Sequence, residues 1–202
     1  MLDHLQHWAF YGVTMSGKTT AARYLARKEA EAGYRIIVFD PCMTDTAGGG
    51  WPQNATIFHH ETDDDIADDP NSDKLADEFC EYLLRRDVRD AFVYVDESHK
   101  VYSHEQKHNF WHLDRGRHRG LLMRIITQRP NKVHPTARSQ CTGAFMFALT
   151  KSDRESIAAD YGVDLPKDLV LDKGDFLLFN TPSPTYSRAN IFNYLKDKSC
   201  PP

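Results

Sequence analysis

The segment GVTMSGKT (12–19) places a glycine five residues before a Gly-Lys-Thr triplet. In this spacing the backbone N–H groups of the loop point inward around two phosphates, and the next helix presents its positive N-terminal end to them. Lys18 is predicted to reach the β- and γ-phosphates, Thr19 to ligate Mg²⁺, and Thr20 to contact the α-phosphate. An ordinary glycine-rich turn is the alternative. The predicted nucleotide-binding residues are Gly12, Val13, Thr14, Met15, Ser16, Gly17, Lys18, Thr19 and Thr20.

Two adjacent carboxylates end a strongly apolar run, AFVYVDES (91–98). The run is typical of a strand buried on both faces, and open α/β sheets bind ligands at the carboxyl ends of such strands. Asp96 is therefore predicted to hold Mg²⁺ through water, and Glu97 to orient and deprotonate the attacking water. The alternative is that Glu97 only caps a helix or forms an ion pair. The adjacent acids favour hydrolysis over transfer to a small-molecule acceptor.

A further apolar run, LLMRIITQ (121–128), predicts a buried strand that ends at Gln128. The end of this strand is expected at the γ-phosphate side of the same crevice. An amide hydrogen-bonds both a γ-phosphate and a lytic water, so Gln128 is predicted to act as a sensor. A polar residue that merely caps the strand is the alternative.

Three arginines and a histidine are concentrated in DRGRHRG (114–120), between the acidic pair and the Gln128 strand. Arginine offers a planar fork of donors to the charge that develops on a transferred γ-phosphoryl group. The segment is therefore a candidate arginine finger that enters the site of a neighbouring subunit, which requires an oligomer. A solvated loop is the alternative.

His104, His108 and His112 recur at every fourth residue and would share one face of a helix. Histidines four residues apart can bind a metal ion, but no H-E-x-x-H pattern accompanies these. We therefore predict a stripe that faces the surface or a pore. Together with Lys100 and Lys107, this stretch is a candidate contact with a nucleic-acid backbone.

The overall composition is that of an ordinary globular chain of 202 residues with a net charge of -4. The net charge gives no argument for nucleic-acid binding, which would have to come from a local basic patch or a ring of subunits. No signal peptide or membrane-crossing run is found. No C-x-x-C pair occurs, so we expect free thiols in a reduced, cytosolic protein rather than a zinc or redox site. The cysteines are Cys42, Cys80, Cys141 and Cys200.

The elements that must position these residues alternate between apolar runs and helical patterns. Strands are predicted over 7–12, 35–40, 55–60, 91–98, 121–128, 143–150, 175–180 and 185–192. Helices are predicted over 18–32, from caps at 71–73 to about 86, over 104–116 and over 152–162, with 61–73 as a solvated acidic loop. This alternation predicts an α/β fold, with a mostly parallel central sheet flanked by helices and a C-terminal antiparallel hairpin at one edge. We expect a single domain over 1–202, with a core of about 8–150 and a C-terminal helix and hairpin over about 151–195.

GVTMSGKTT, a strand ending in VDES, the triplet GRH and a strand ending in TQRP follow one another in this order. The spacing from DE to GRH to TQ resembles the FtsK–HerA superfamily of DNA-pumping ATPases. The small size and GRH resemble its viral branch, the genome-packaging ATPases of tailless, membrane-containing icosahedral double-stranded DNA viruses. The resemblance covers about residues 8–150. Met15 departs from it, because a small residue is common at that loop position.

The resemblance implies a RecA-like P-loop core that binds ATP and Mg²⁺ and moves double-stranded DNA through a homo-oligomeric ring, which family precedent makes a hexamer. It implies that Arg117 is the finger acting in trans, with Arg115 and Arg119 as possible substitutes, and that Gln128 is the sensor. The implied partners are a capsid vertex or membrane-associated viral proteins. The implied location is the packaging vertex of the virion and the host cytoplasm, without a transmembrane segment in the chain itself.

Two other functions stay open. One is a phage-assembly ATPase of the zonula-occludens-toxin type, although those proteins usually carry a membrane helix and no run here predicts one. The other is a P-loop small-molecule kinase or nucleotide-binding regulator. An acceptor-binding lid rich in arginine would support it, and no such lid is evident apart from 114–120. ATP and GTP are not distinguished, because adenine leaves little sequence trace and no guanine-reading N-K-x-D motif is present.

Overall fold

A computed structural model describes residues 6–43, 50–103, 110–180 and 185–196. In this part of the chain one sheet has the strand order β3-β2-β4-β5-β1-β6-β7-β8. Its strands are β1 His7–Tyr11, β2 Arg35–Phe39, β3 Thr56–Phe58, β4 Ala91–Val95, β5 Leu121–Thr127, β6 Cys141–Met146, β7 Asp175–Asn180 and β8 Thr185–Asn190. Strands β1 to β6 run parallel, and β7 and β8 form an antiparallel hairpin at one edge. The predicted α/β architecture is therefore confirmed.

Helices cover both faces of the sheet. They are α1 Lys18–Glu31, α2 Asp63–Asp68, α3 Asp73–Leu84, α4 Trp111–Asp114, α5 Pro135–Ser139, α6 Lys151–Asp160 and α7 Ile191–Lys196. On one face, Ala22 of α1 and Ile191 of α7 belong to a buried cluster with the sheet. On the other face, Phe79 of α3 and Ile157 of α6 belong to a second cluster. The apolar residues of the parallel strands are buried from both sides, which explains their continuous hydrophobic runs.

Parallel pairing brings the carboxyl ends of four strands to one edge of the sheet. Strand β5 lies between β1 and β4, and β2 lies on the far side of β4. The register pairs Tyr11 with Thr127, and Phe39 with Val95, so these strands end nearly level. The loops after β1, β2, β4 and β5 therefore share one edge, which is where this architecture binds ligands.

The acidic stretch 61–73 is not simply the predicted solvated loop, because it contains helix α2. Thr62 and Asp65 form a reciprocal capping box that explains why so acidic a segment is helical. The cap of α3 also differs from the prediction. The Ser72 side chain makes no capping hydrogen bond, and Asp69 instead accepts from the backbone N–H groups of Asp73 and Leu75, at 2.7 and 3.1 Å.

Three other predicted boundaries are corrected. The predicted helix 104–116 is broken: 104–109 lie outside the described residues, and α4 is followed by a 3₁₀ turn at Gly116–Arg119. The predicted strand 143–150 is β6 in the structure, and it begins and ends earlier, at Cys141–Met146. The predicted strand 185–192 stops at Asn190, and α7 follows it. The Asn190 side chain accepts from the Phe192 N–H at 2.9 Å, which favours this change from strand to helix.

Candidate functional site

The loop between β1 and α1 has the backbone that a phosphate cradle needs. Gly17 has φ 110° and Met15 has φ 62°, two left-handed positions within one short loop. At Gly12 a Cβ atom would lie 2.4 Å from the Ser16 Oγ and 2.8 Å from the Phe147 Cβ, so a side chain does not fit. Met15 is accommodated because its side chain projects outward and is 75% exposed. The departure from a small residue therefore leaves the loop conformation intact.

Contacts from distant segments hold this loop in place. The Gly12 N–H donates to the carbonyl of Thr127, at the end of β5, at 3.2 Å. The Gly174 N–H, just before β7, donates to the carbonyl of Ser16 at 2.9 Å. A Cβ on Gly17 would lie 3.4 Å from the Cα of Gly174. The start of the C-terminal hairpin therefore supports the phosphate loop, a role that no sequence pattern indicated.

The structure brings Lys18, Thr19 and Asp96 together, as predicted. Lys18 is buried, and its positive charge acts on Asp96. The Thr19 hydroxyl donates to Asp96 Oδ2 at 3.1 Å, which joins the first turn of α1 to the end of β4. A buried cation and two adjacent oxygen ligands are the groups that a phosphate and a hard divalent ion require. Thr20 is exposed beside them.

Asp96 is buried close to two other carboxylates, those of Asp40 and Glu97. Its carboxylate is buried and lies near Asp40, at the end of β2. Burial, followed by the charge of Asp40, raises the pKa of Asp96 to about 7, while the hydrogen bond from the Glu97 N–H opposes this shift. A bound cation would stabilise the charged form of Asp96, because it would offset both the loss of hydration and the repulsion from Asp40. The residues therefore fit the predicted Mg²⁺, with Asp96 and Thr19 as its protein oxygens.

Asp40 also belongs to the site, although no sequence pattern singles it out. Its Oδ2 accepts from the guanidinium of Arg23 at 3.1 Å and from the indole N–H of Trp51 at 2.9 Å. Arg23 lies one turn after Thr19 on α1, and its guanidinium also lies over the Trp51 ring at 5.3 Å. Thr19 and Arg23 thus tie the same face of α1 to the ends of β4 and β2. The spacing of four residues between them was the available signal.

Glu97 and Gln128 also lie together, as predicted. Gln128 Nε2 donates to Glu97 Oε1 at 2.7 Å, and the Thr14 hydroxyl donates to Gln128 Oε1 at 2.5 Å. Glu97 Oε2 lies 3.3 Å from His99 Nδ1. The backbone of Glu97 is left-handed, with φ 47°, an uncommon conformation for a non-glycine residue that often marks functional sites. The two predicted catalytic side chains therefore contact each other and the phosphate loop.

Arg117 lies far from this constellation. Arg117 belongs to the 3₁₀ turn before β5, and Gln128 comes directly after β5. The two residues are therefore separated by the length of this seven-residue strand, about 23 Å. Its charge acts on His7 at the amino end of β1, whose pKa burial lowers to about 4. Arg117 and Arg115 are exposed. Neither can reach the phosphate loop of its own chain.

Arg119, the other candidate finger, is engaged within its own subunit. Its guanidinium donates to the carbonyls of Leu83, Leu84, Arg85 and Val88, at and beyond the end of α3. It also lies over the ring of Trp111, at 5.5 Å from the centroid. Arg119 therefore caps α3 and holds the turn before β5 against it.

The predicted histidine stripe is wrong for His112. This side chain is fully buried, and its Nε2 lies 2.8 Å from the Tyr102 hydroxyl. His112 therefore packs inside the subunit instead of facing solvent or a pore. His104, His108 and Lys107 lie outside the described residues. Free thiols are confirmed for the described cysteines, Cys42, Cys80 and Cys141, while Cys200 lies outside the described part.

The raised pKa of Asp96 predicts a specific pH dependence of stability. The folded state binds this proton more tightly than the unfolded chain, whose pKa is near 3.8, so stability falls as pH rises from about 4 to about 7. Asp96→Asn removes this loss. Relative to the wild type, its free energy of unfolding should increase by about 2–3 kcal/mol between pH 5 and pH 8, measured by urea denaturation without nucleotide. The exposed Asp68→Asn is the control, and parallel curves for Asp96→Asn and wild type would contradict the assignment.

Comparison with known proteins identifies the fold. The family model described as zonular occludens toxin (Zot) matches residues 51–150. A search of curated proteins gives no match. No helix among the described residues is both long and apolar enough to cross a membrane.

Three solved structures illustrate the similarity. The genome-packaging NTPase B204 of Sulfolobus turreted icosahedral virus 2, in complex with sulfate, is 18% identical, with a TM-score of 0.67 over 91% of this chain and 95% of that one. VirB4 of Thermoanaerobacter pseudethanolicus is 11% identical, with a TM-score of 0.61 over 91% and 88%. The N-terminal domain of zonular occludens toxin from Neisseria meningitidis is 16% identical, with a TM-score of 0.52 over 92% and 93%. The fold that the predicted resemblance implies is therefore confirmed.

Proposed function

We propose that this chain is an ATP-hydrolysing translocase that packages double-stranded viral DNA into a preformed capsid. The observation that carries the hydrolytic part is the hydrogen bond from Thr19 to Asp96, which unites the phosphate loop and the acidic strand end in one site. The DNA-packaging part is supported by similarity to B204 along nearly the whole of both chains. Other B204 structures contain AMPPCP or ATP-γ-S, which supports ATP as the nucleotide.

The residues of the site have complementary roles in this reaction. The backbone N–H groups of the phosphate loop and the Lys18 ammonium hold the phosphates of ATP. Thr19 and Asp96 would hold Mg²⁺, which would supply positive charge beside the phosphates. Glu97 accepts a proton from the attacking water, and Gln128 donates from its amide to the γ-phosphate and orients that water.

Arg117 would complete the site of a neighbouring subunit in a homo-oligomeric ring. Its guanidinium is exposed at the edge of the sheet opposite to the phosphate loop, so any contact with the γ-phosphate must occur in trans. An arginine in this role stabilises the charge of the transition state. The ring then surrounds the duplex, and its capsid-vertex or membrane-protein partners place it in the virion or the host cytoplasm.

The alternative of a Zot-type assembly ATPase has one supporting observation, the family match over 51–150. That segment contains Asp96, Glu97 and Gln128, which both functions need. The TM-score is higher for B204 than for the zonular occludens toxin domain, 0.67 against 0.52, and similar shares of this chain are covered. We therefore favour packaging.

The proposal is tested by ATPase assays with and without duplex DNA. Phosphate release should increase on addition of long linear duplex, and Lys18→Ala should abolish it by removing the charge that holds the phosphates. Lys28→Ala is the matched control, because Lys28 lies on the same helix and pairs with Glu31 at the surface. A rate of hydrolysis that is unchanged by duplex DNA of any length would contradict the proposed translocase activity but not the ATPase activity. Transfer of phosphate to a small-molecule acceptor would favour a kinase.

A further inference from the structure

A hydrogen-bond chain connects the phosphate loop to the proposed catalytic base. The Thr14 hydroxyl donates to Gln128 Oε1 at 2.5 Å, and Gln128 Nε2 donates to Glu97 Oε1 at 2.7 Å. The phosphate-loop pattern assigns a backbone N–H role to Thr14 and none to its side chain. The Thr14 hydroxyl therefore has a contact that phosphate binding alone does not explain.

These two hydrogen bonds fix the orientation of the Gln128 amide. A carboxylate only accepts hydrogen bonds, so the amide nitrogen must face Glu97 and the amide oxygen must face Thr14. A flipped amide would place its oxygen against the carboxylate. A phosphate oxygen is also an acceptor, so the same nitrogen is the group that a γ-phosphate would engage. The amide nitrogen has two N–H groups, so one can stay on Glu97 while the other donates to the γ-phosphate.

The two oxygens of Glu97 have different surroundings. Oε1 accepts from Gln128, and Oε2 is buried, makes no hydrogen bond and faces His99 Nδ1 at 3.3 Å. A carboxylate oxygen can accept two hydrogen bonds, so Oε1 can also accept from an attacking water while the Gln128 amide stays in place. The orientation of the amide then depends on the Thr14 hydroxyl, which holds the amide oxygen.

We propose that Thr14 is a positioning residue for ATP hydrolysis, acting through Gln128. Its hydroxyl anchors the amide oxygen of Gln128, so that the amide nitrogen holds Glu97 with one N–H and faces the γ-phosphate with the other. The inference rests on the ATPase part of the proposed function and does not depend on DNA translocation.

The test uses Thr14→Val, which removes the hydroxyl and keeps the branched shape, and Thr14→Ser, which keeps the hydroxyl. Thr14 is exposed, so both variants are expected to fold as the wild type does. In steady-state ATPase assays on the full chain, Thr14→Val should lower kcat by about tenfold and change KM by less than about twofold, as loss of an interaction made in the transition state does. Thr14→Ser should recover most of kcat.

A double-mutant comparison separates positioning from simple phosphate binding. In a Gln128→Leu background, Thr14→Val should cause no further loss of kcat, because the hydroxyl acts only through the amide. An additive loss in that background would overturn the proposal. So would a Thr14→Val variant that binds the ATP analogue AMPPCP more weakly and keeps its kcat. A wild-type chain that hydrolyses no ATP would instead remove the proposed function on which the inference rests.

Discussion

Replacing Glu97 by glutamine is expected to lower kcat for ATP hydrolysis by a factor on the order of 10²–10⁴, the range that a general base contributes. Glutamine has nearly the same shape but cannot accept a proton from water at neutral pH. The phosphates are held by Lys18 and the backbone of the loop, so ATP binding should persist. Single-turnover hydrolysis and binding of a fluorescent ATP analogue, measured on the same preparation, separate the two effects.

Glu155→Gln is a matched control for this substitution, because Glu155 is an exposed carboxylate on α6 with only a weak ion pair to Lys151 at 3.9 Å. Its kcat should equal that of the wild type. If Glu97→Gln hydrolysed ATP at the wild-type rate, another group would have to deprotonate the water. If it lost ATP binding as well, Glu97 would be supporting the phosphate loop through Gln128 and not only the chemical step.

The residues at the carboxyl edge of the sheet were predictable, because each comes directly after a short and largely apolar run. Asp96 and Glu97 end one such run, and Gln128 ends another. Parallel pairing then requires that the ends of these runs meet at one edge, whatever the length of the segments between them. The contact of Gln128 with Glu97, and that of Thr19 with Asp96, follow from this rule once the strand order is known.

Other features depended on contacts that local patterns do not contain. Asp40 ends the run RIIVFD, but its partners Arg23 and Trp51 become neighbours only when α1 packs over β2. The arginines of 114–120 look equivalent in sequence, yet packing of the turn before β5 against α3 engages Arg119 and leaves Arg117 exposed. Burial of His112 likewise results from tertiary packing around Tyr102 and not from the spacing of the histidines.

Arg117→Ala is expected to lower the ATPase kcat by a factor on the order of 10³ or more, the contribution of an arginine finger to phosphoryl transfer. Because Arg117 is exposed and lies at the edge of the sheet away from its own phosphate loop, this loss should occur without loss of stability. The exposed Arg86→Ala is the control for removal of a surface arginine. A loss of activity in Arg115→Ala in place of Arg117→Ala would move the role of the finger to Arg115.

Mixing two inactive variants tests whether the finger acts between subunits. An Arg117→Ala subunit keeps Glu97, and a Glu97→Gln subunit keeps Arg117. A site therefore has both groups when the Arg117→Ala subunit holds the ATP and the Glu97→Gln subunit supplies the arginine. In randomly mixed equimolar rings about a quarter of the interfaces have that order, and a similar fraction of wild-type activity should return. Activity should depend on protein concentration, since dilution separates the subunits. If the mixture stayed as inactive as its components while light scattering showed mixed oligomers, Arg117 would not be completing a neighbour's site.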